Sequence, residues 1–195
     1  MECGTLNVPL DYRNPNGRTI DIAVSRIKSS RPDLRRGVLL LNPGGPGAQG
    51  LDMPRAGLIL FPQSVSTRYD LIGFDPRGIG RSNPVSCGLS ALVTLQIFPP
   101  LEQPGGFQAT ADFMRNAADA CAAVSGDLLP FITTRNTARD MDRLRQALGE
   151  QKISYLGYSY GTYLGTVYAQ LFPTRTDRFV LDSAVNPNAV WRTQF

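Results

Sequence analysis

The sequence predicts an α/β fold built on a mostly parallel, doubly wound sheet. Two observations carry this. Several short runs are apolar without alternation, the pattern of strands buried on both faces. Between them lie stretches whose apolar residues recur at the helical period, so strands and helices alternate along the chain.

The elements follow in order. In Thr19–Ile27, Ile20, Ile22 and Val24 alternate with Asp21, Ala23 and Ser25, predicting a half-buried antiparallel strand. Residues 5–10 are its expected hairpin partner, with Asn16-Gly17 near the turn. Val38–Leu41, Leu71–Phe74, Ile153–Leu156 and Phe179–Leu181 are the four runs expected to be buried on both faces. Residues 107–124 lack Pro and Gly and set Phe113, Ala117, Ala120, Cys121 and Val124 at helical spacing. Residues 137–148 open with Thr137-x-x-Asp140, a capping-box pattern, present Met141, Leu144 and Leu148 on one face, and stop at Gly149. Residues 160–171 carry Leu164, Val167, Tyr168 and Leu171 on one stripe and end before Pro173. Residues 96–106, rich in Pro and Gly, are expected to be a connecting loop within one domain rather than a linker.

Composition narrows the function. A chain of 195 residues, 42% hydrophobic and 18% charged, is long enough for one globular core. No apolar run approaches the ~20 residues that cross a bilayer, so no membrane span is expected. The net charge is +4, and Lys28 and Lys152 are the only lysines among 20 cations. The arginines are scattered, with only Arg31, Arg35 and Arg36 close together and no aromatics interleaved, so no nucleic-acid platform is expected. Cys3, Cys87 and Cys121 allow one internal disulfide, with Cys87 and Cys121 in segments that could meet; if bridged, they indicate an oxidising compartment. There is no histidine, so neither an imidazole metal site nor a histidine-based triad can be assembled from this chain alone.

The strongest chemical signal is Gly157-Tyr158-Ser159-Tyr160-Gly161, between an expected strand and an expected helix. That is the context of a nucleophile elbow, a tight turn that lifts a serine hydroxyl above the sheet. Such a serine needs a base to take its proton and donors aimed at the oxyanion that develops on the attacked carbonyl. The Tyr160 N–H is the expected first donor. Asn42-Pro43-Gly44-Gly45-Pro46-Gly47 follows the Val38–Leu41 run, where the second donor belongs, and Gly45 is its candidate because Pro46 has no N–H.

Gly45-Pro46-Gly47-Ala48-Gln49-Gly50 also fits G-x-G-x-x-G after a strand, with Asp75 ending the next one. A dinucleotide-binding module would place phosphate on a helix N-terminus there and Asp75 on the ribose, but it leaves Ser159 unexplained. In Asp75-Pro76-Arg77-Gly78-Ile79-Gly80-Arg81-Ser82, a sharp turn, Arg77 is expected to tie down carbonyls or the Asp75 carboxylate. Asp182 is the one acid placed to orient a base; capping a turn explains it equally well. A third class, a non-catalytic partner-binding fragment, is supported by the absent histidine.

Glu2-Cys3-Gly4-Thr5-Leu6-Asn7-Val8-Pro9-Leu10-Asp11-Tyr12, the Asn42–Gly47 and Asp75–Ser82 stretches, and Gly157-Tyr158-Ser159-Tyr160-Gly161-Thr162 together resemble the α/β-hydrolase serine peptidases around proline iminopeptidase and the bacterial secreted tripeptidyl aminopeptidases. The resemblance implies the α/β-hydrolase fold, Ser159 as nucleophile, Gly45 and Tyr160 as the oxyanion hole, and a secreted or cell-envelope location. The implied activity is hydrolysis of peptide bonds near a free N-terminus through an acyl-enzyme, without cofactor or metal, with an esterase or lipase on the same fold as the alternative. In that fold the order is Ser, acid, His, and a helical cap follows the strand near Asp182. Residues 1–195 are therefore expected to be the N-terminal part of a hydrolase domain. Either a complementary C-terminal polypeptide supplies cap, last strands, acid, histidine and a partner for Cys3, or the chain is a truncated, inactive product. Alone, the chain is expected to be inactive and unstable, with an exposed sheet edge after its sixth strand.

Overall fold

The computed structural model describes residues 1–88 and 104–189. Their strands form one six-stranded sheet in the order β1-β2-β4-β3-β5-β6. These are β1 (Glu2–Pro9), β2 (Thr19–Ile27), β3 (Val38–Asn42), β4 (Asp70–Phe74), β5 (Ile153–Tyr158) and β6 (Thr176–Asp182). The helices are α1 (Met53–Leu60), the single turn α2 (Gln63–Ser66), α3 (Gly106–Ser125), α4 (Thr134–Ala147) and α5 (Tyr160–Leu171). β1 and β2 form an antiparallel hairpin, and β2 joins β4 antiparallel. β4, β3, β5 and β6 run parallel, as the apolar runs require.

Every residue of β3 and β4 is buried. One face of the sheet sets Leu39, Leu41 and Leu71 against Met53, Phe61 and Val65 of the α1–α2 region. The opposite face carries Tyr155, on whose ring Gly165 of α5 closes so tightly that an added Cβ would lie 2.6 Å from it. Helices thus cover both faces of the parallel strands, and the α/β-hydrolase architecture read from the sequence is the one observed.

The residues divide into two compact units, Met1–Asn83 with Ile132–Phe195, and Pro84–Phe131. Within the second, a Cys87–Cys121 disulfide ties the segment after Pro84 to α3. Ser125 reinforces it, its hydroxyl donating to Ser86 O and accepting from Ser86 N. Of the expected 96–106 loop, residues 96–103 lie outside the described residues, and Gly106 already belongs to α3.

Four expectations are corrected. The N-cap of α4 is Thr133, whose hydroxyl accepts from Asn136 N, so the helix starts a turn before Thr137. Asp140 is turned inward to Arg77 and takes no part in a capping box. The alternation in β2 holds through Ile22 and then fails, because Ser25 is buried and donates to Leu51 O; the chain leading into α1 covers that half of the strand. Val124 is exposed although it shares the helical spacing of its neighbours. β6 was expected to be buried on both faces, yet Val180 and Leu181 are exposed; among the described residues it is the last strand of the sheet, the open edge that was expected there.

Arg77 joins three elements. Its fully buried guanidinium binds Asp140 of α4 through two hydrogen bonds, Nε to Oδ2 at 2.7 Å and Nη2 to Oδ1 at 2.6 Å. It also donates to the carbonyls of Pro9 and Leu10, where β1 ends. The Tyr12 hydroxyl donates to the same carboxylate at 2.7 Å. Burial pushes the Asp140 carboxyl up, against the pull of Arg77 and the Tyr12 hydroxyl. Replacing Arg77 by Met strands a buried carboxylate and two carbonyls, and should cost about 3–5 kcal/mol in urea unfolding. Arg77→Met with Asp140→Leu should recover part of that loss; a single variant as stable as the parent would refute this account.

Candidate active site

β5 runs into α5 through a single residue, Ser159, at φ 51° and ψ −121°. That conformation is rare for a residue with a Cβ and persists only where its surroundings hold it. Here they do. Ser159 N donates to Asp182 O at 2.9 Å, and Ser159 O accepts from both N and Oγ1 of Thr162. The Thr162 hydroxyl also accepts from Val185 N, linking the turn to the chain beyond β6.

Close approach restricts both glycines of the motif, of backbone at Gly157 and of a side chain at Gly161. A Cβ on Gly157 would lie 2.5 Å from Gly161 O, and one on Gly161 would lie 2.7 Å from Asn42 Oδ1. Tyr155 fixes the same spot by donating its hydroxyl to Gly161 O at 2.7 Å. Ser159 itself is half-buried, and among the described residues no group hydrogen-bonds its hydroxyl.

The loop after β3 lies directly on this turn. Gly44, at φ +97°, packs so closely that an added Cβ would sit 2.4 Å from Tyr158 O and 3.2 Å from Ser159 Cβ. Its amide is taken, donating to Asn42 Oδ1 at 3.0 Å. The next amide, that of Gly45, is in an exposed turn at φ +109° and meets no acceptor among the described residues. Tyr160 opens the first turn of α5, whose N–H groups have no carbonyl a turn earlier within the helix. Gly45, far off in sequence, is thereby brought to the adjacent Ser159 and Tyr160 at the carboxyl ends of β3 and β5, the end of a parallel sheet where ligands bind.

Beside them opens a cleft of about 370 Å³, walled by Gly44, Pro46, Ile79, Ile132, Tyr160 and Tyr163 among others. The N-terminus of α4 contributes Thr133, Thr134 and Thr137. Thr134 Oγ1 and the Tyr160 hydroxyl share a hydrogen bond of 2.7 Å. Burial raises the Tyr160 hydroxyl above its ordinary range, partly offset by Thr134, so it stays a neutral wall of the cleft at physiological pH.

Asp75 is not available to a ribose. Its carboxylate is fully buried and accepts from Gly50 N and Arg81 N, both at 2.9 Å, so it folds two loops onto the end of β4. Gly50 is needed for a different reason than phosphate binding, since a Cβ there would lie 2.2 Å from Phe74 O. Arg77 meets carbonyls, as expected, but its carboxylate partner is Asp140. Asp182 ends β6 exposed; its carbonyl serves Ser159 N, and its carboxylate accepts from the Ser183 hydroxyl. Sequence reasoning passed over Asn42, Thr134 and Thr162. An Asn before Pro-Gly is an Asx-turn pattern that could have marked Asn42; nothing local marks Thr134.

Residues 37–195 match the family model described as alpha/beta hydrolase fold. The chain is 44% identical to a tripeptidyl aminopeptidase of Streptomyces lividans, covering 96% of this chain and 36% of that protein. It is 41% identical to a carboxylesterase B of Mycobacterium tuberculosis, over 95% of this chain and 36% of that one. The chain thus spans little more than a third of the length of these relatives. A probable hydrolytic enzyme of known structure from Pseudomonas aeruginosa superimposes with a TM-score of 0.54 at 19% identity, covering 92% of this chain and 40% of that one, a likeness of fold.

The glycine contacts make a sharp prediction. Gly44→Ala adds a methyl against Tyr158 O at a positive φ and should cost at least about 1–3 kcal/mol from backbone strain. Gly4→Ala on the exposed strand β1, where a Cβ meets nothing within 4 Å, should stay within about 0.5 kcal/mol. Chemical denaturation of both variants checks the contrast, and equal stabilities would sink it.

Proposed function

Since the chain belongs to the α/β-hydrolase fold family, we propose that it is the N-terminal part of a serine hydrolase with Ser159 as nucleophile. The observation that carries this reading is the conformation of Ser159, at φ 51° and ψ −121° between β5 and α5. Strain of this kind is a reason to look for function. The oxyanion donors are the amides of Gly45 and Tyr160.

The base and its orienting acid come from a C-terminal polypeptide of the same hydrolase. The chain has no histidine and matches 36% of the length of its tripeptidyl aminopeptidase relative. That histidine takes the Ser159 hydroxyl proton as Oγ bonds to the substrate carbonyl carbon, and the two amides hold the resulting oxyanion. Collapse of the intermediate breaks the C–N bond, and the leaving amine departs with the proton from the imidazolium. Water, deprotonated by the same histidine, then adds to the acyl carbonyl carbon, and the bond from that carbon to Ser159 Oγ breaks as the imidazolium returns the proton to Oγ. The exposed Val180 and Leu181 of β6 support a further strand or cover beside it.

Release of short peptides from free N-termini is the finer reading, supported by the 44% identity to an aminopeptidase. The 41% identity to a carboxylesterase favours ester hydrolysis as a second one. The Cys87–Cys121 disulfide supports a secreted or cell-envelope location.

Intact-mass analysis after fluorophosphonate treatment tests the nucleophile. The assembled hydrolase should gain one adduct on this chain, Ser159→Ala none, and this chain alone none at a comparable rate. An adduct that persists in Ser159→Ala would overturn the assignment. Peptide anilides compared with p-nitrophenyl esters separate the finer readings. An aminopeptidase should cleave N-terminally free peptide anilides and lose that activity when the terminus is blocked; turnover of esters alone favours the esterase.

A further inference from the structure

Asn42, the last residue of β3, is 1% exposed and sits opposite Gly157 of β5. Its Oδ1 accepts the Gly44 N–H at 3.0 Å, forming an Asx turn that bends the chain out of the sheet. The same oxygen lies so close to α5 that a Cβ on Gly161 would be 2.7 Å from it. One buried oxygen therefore touches the residue before Gly45 and the residue after Tyr160. Nδ2, by contrast, has no hydrogen-bond partner. An amide buried with its donor end unpaired costs stability, and an apolar or smaller side chain would avoid that cost. What Asn42 provides comes through Oδ1 alone.

We propose that Asn42 is a positioning residue for acyl transfer, fixing the separation between the Gly45 and Tyr160 amides. This rests on the serine-hydrolase reading above. Oxyanion donors act only within a narrow range, about 2.7–3.1 Å from the oxygen they stabilise. Two donors on different elements, one on a glycine loop and one on a helix, keep that spacing only if something rigid lies between the elements. By holding the Gly44 amide inward, Asn42 leaves Gly45 as the first amide of the loop free to face the substrate. By contact with Gly161, it sets how near α5 can come.

The test compares Asn42→Ala and Asn42→Ser with the parent in the assembled hydrolase, with active sites counted by fluorophosphonate labelling carried to completion. For Asn42→Ala, kcat per labelled site should fall about 10–100-fold with KM within about threefold of the parent. Affinity for a peptide boronic acid, which places an oxygen in the oxyanion position, should fall by the same factor as kcat. Asn42→Ser keeps a hydroxyl able to accept the Gly44 hydrogen and should regain much of the lost kcat. A labelled parent whose variants melt lower but retain kcat per site, or a Ser variant no faster than the Ala variant, would overturn the proposal alone. A parent that takes no label on Ser159 would overturn the serine-hydrolase reading and this proposal with it. If Asn42→Ala fails to fold, Asn42→Ser decides by the same kcat and boronic-acid comparison with the parent, a parent-like value being expected and a loss as large as that forecast for Ala overturning the proposal.

Discussion

The buried ion pair between Arg77 and Asp140 is the contact on which the arrangement of the site depends. Arg77 stands in the turn after β4, Asp140 in the middle of α4, and the carbonyls that Arg77 also binds close the hairpin at β1. None of these elements is adjacent in sequence. A bidentate guanidinium–carboxylate pair has a defined geometry as well as an energy, so it fixes where α4 lies against the sheet. α4 then brings its N-terminal threonines to the cleft, where Thr134 meets the Tyr160 hydroxyl. The position of the cleft wall is thus set by a charge pair whose arginine itself borders the cleft.

Around Ser159 the governing constraint is backbone proximity. Gly44, Gly157 and Gly161 each lie where a Cβ would come within 2.4–2.7 Å of a neighbouring oxygen. Close packing of three backbone segments leaves little room for side chains and holds Ser159 in a conformation it would not adopt unaided. Tyr155, Thr162 and the Asp182 carbonyl supply the hydrogen bonds that oppose relaxation. The serine hydroxyl is left without a protein partner among the described residues, while its backbone is held at every point. Such division, a fixed main chain and an unengaged hydroxyl, suits the nucleophile proposed for Ser159, which must change bonding partners during reaction.

The parallel strands, the hairpin, the helix that follows Ser159 and the turn itself were legible in the sequence because each is governed by local pattern. Apolar runs, the 3.6 period and glycines at fixed offsets act over a few residues. The same locality explains the failures. Thr137-x-x-Asp140 has the spacing of a capping box, but the desolvated Arg77 needs a carboxylate more than the helix end needs a second acceptor. Phe179–Leu181 has the composition of a strand buried on both faces, yet among the described residues Val180 and Leu181 of β6 are exposed, because what covers a strand is not written in the strand itself. Ser25 alternates as if exposed, and is buried because a loop some two dozen residues later crosses it.

What the sequence determined by itself was the fold class, the Gly157–Gly161 turn between strand and helix and the lack of histidine in these residues, all consequences of residue identity and short-range spacing. Only the tertiary structure decided which glycine amide is already used, that Asp75 is spent on two loop amides, and that Asn42 stands between the loop and the helix. Those facts concern which donor finds which acceptor across the fold. A buried polar group must be paired by whatever packing brings near, and packing is a property of the whole chain.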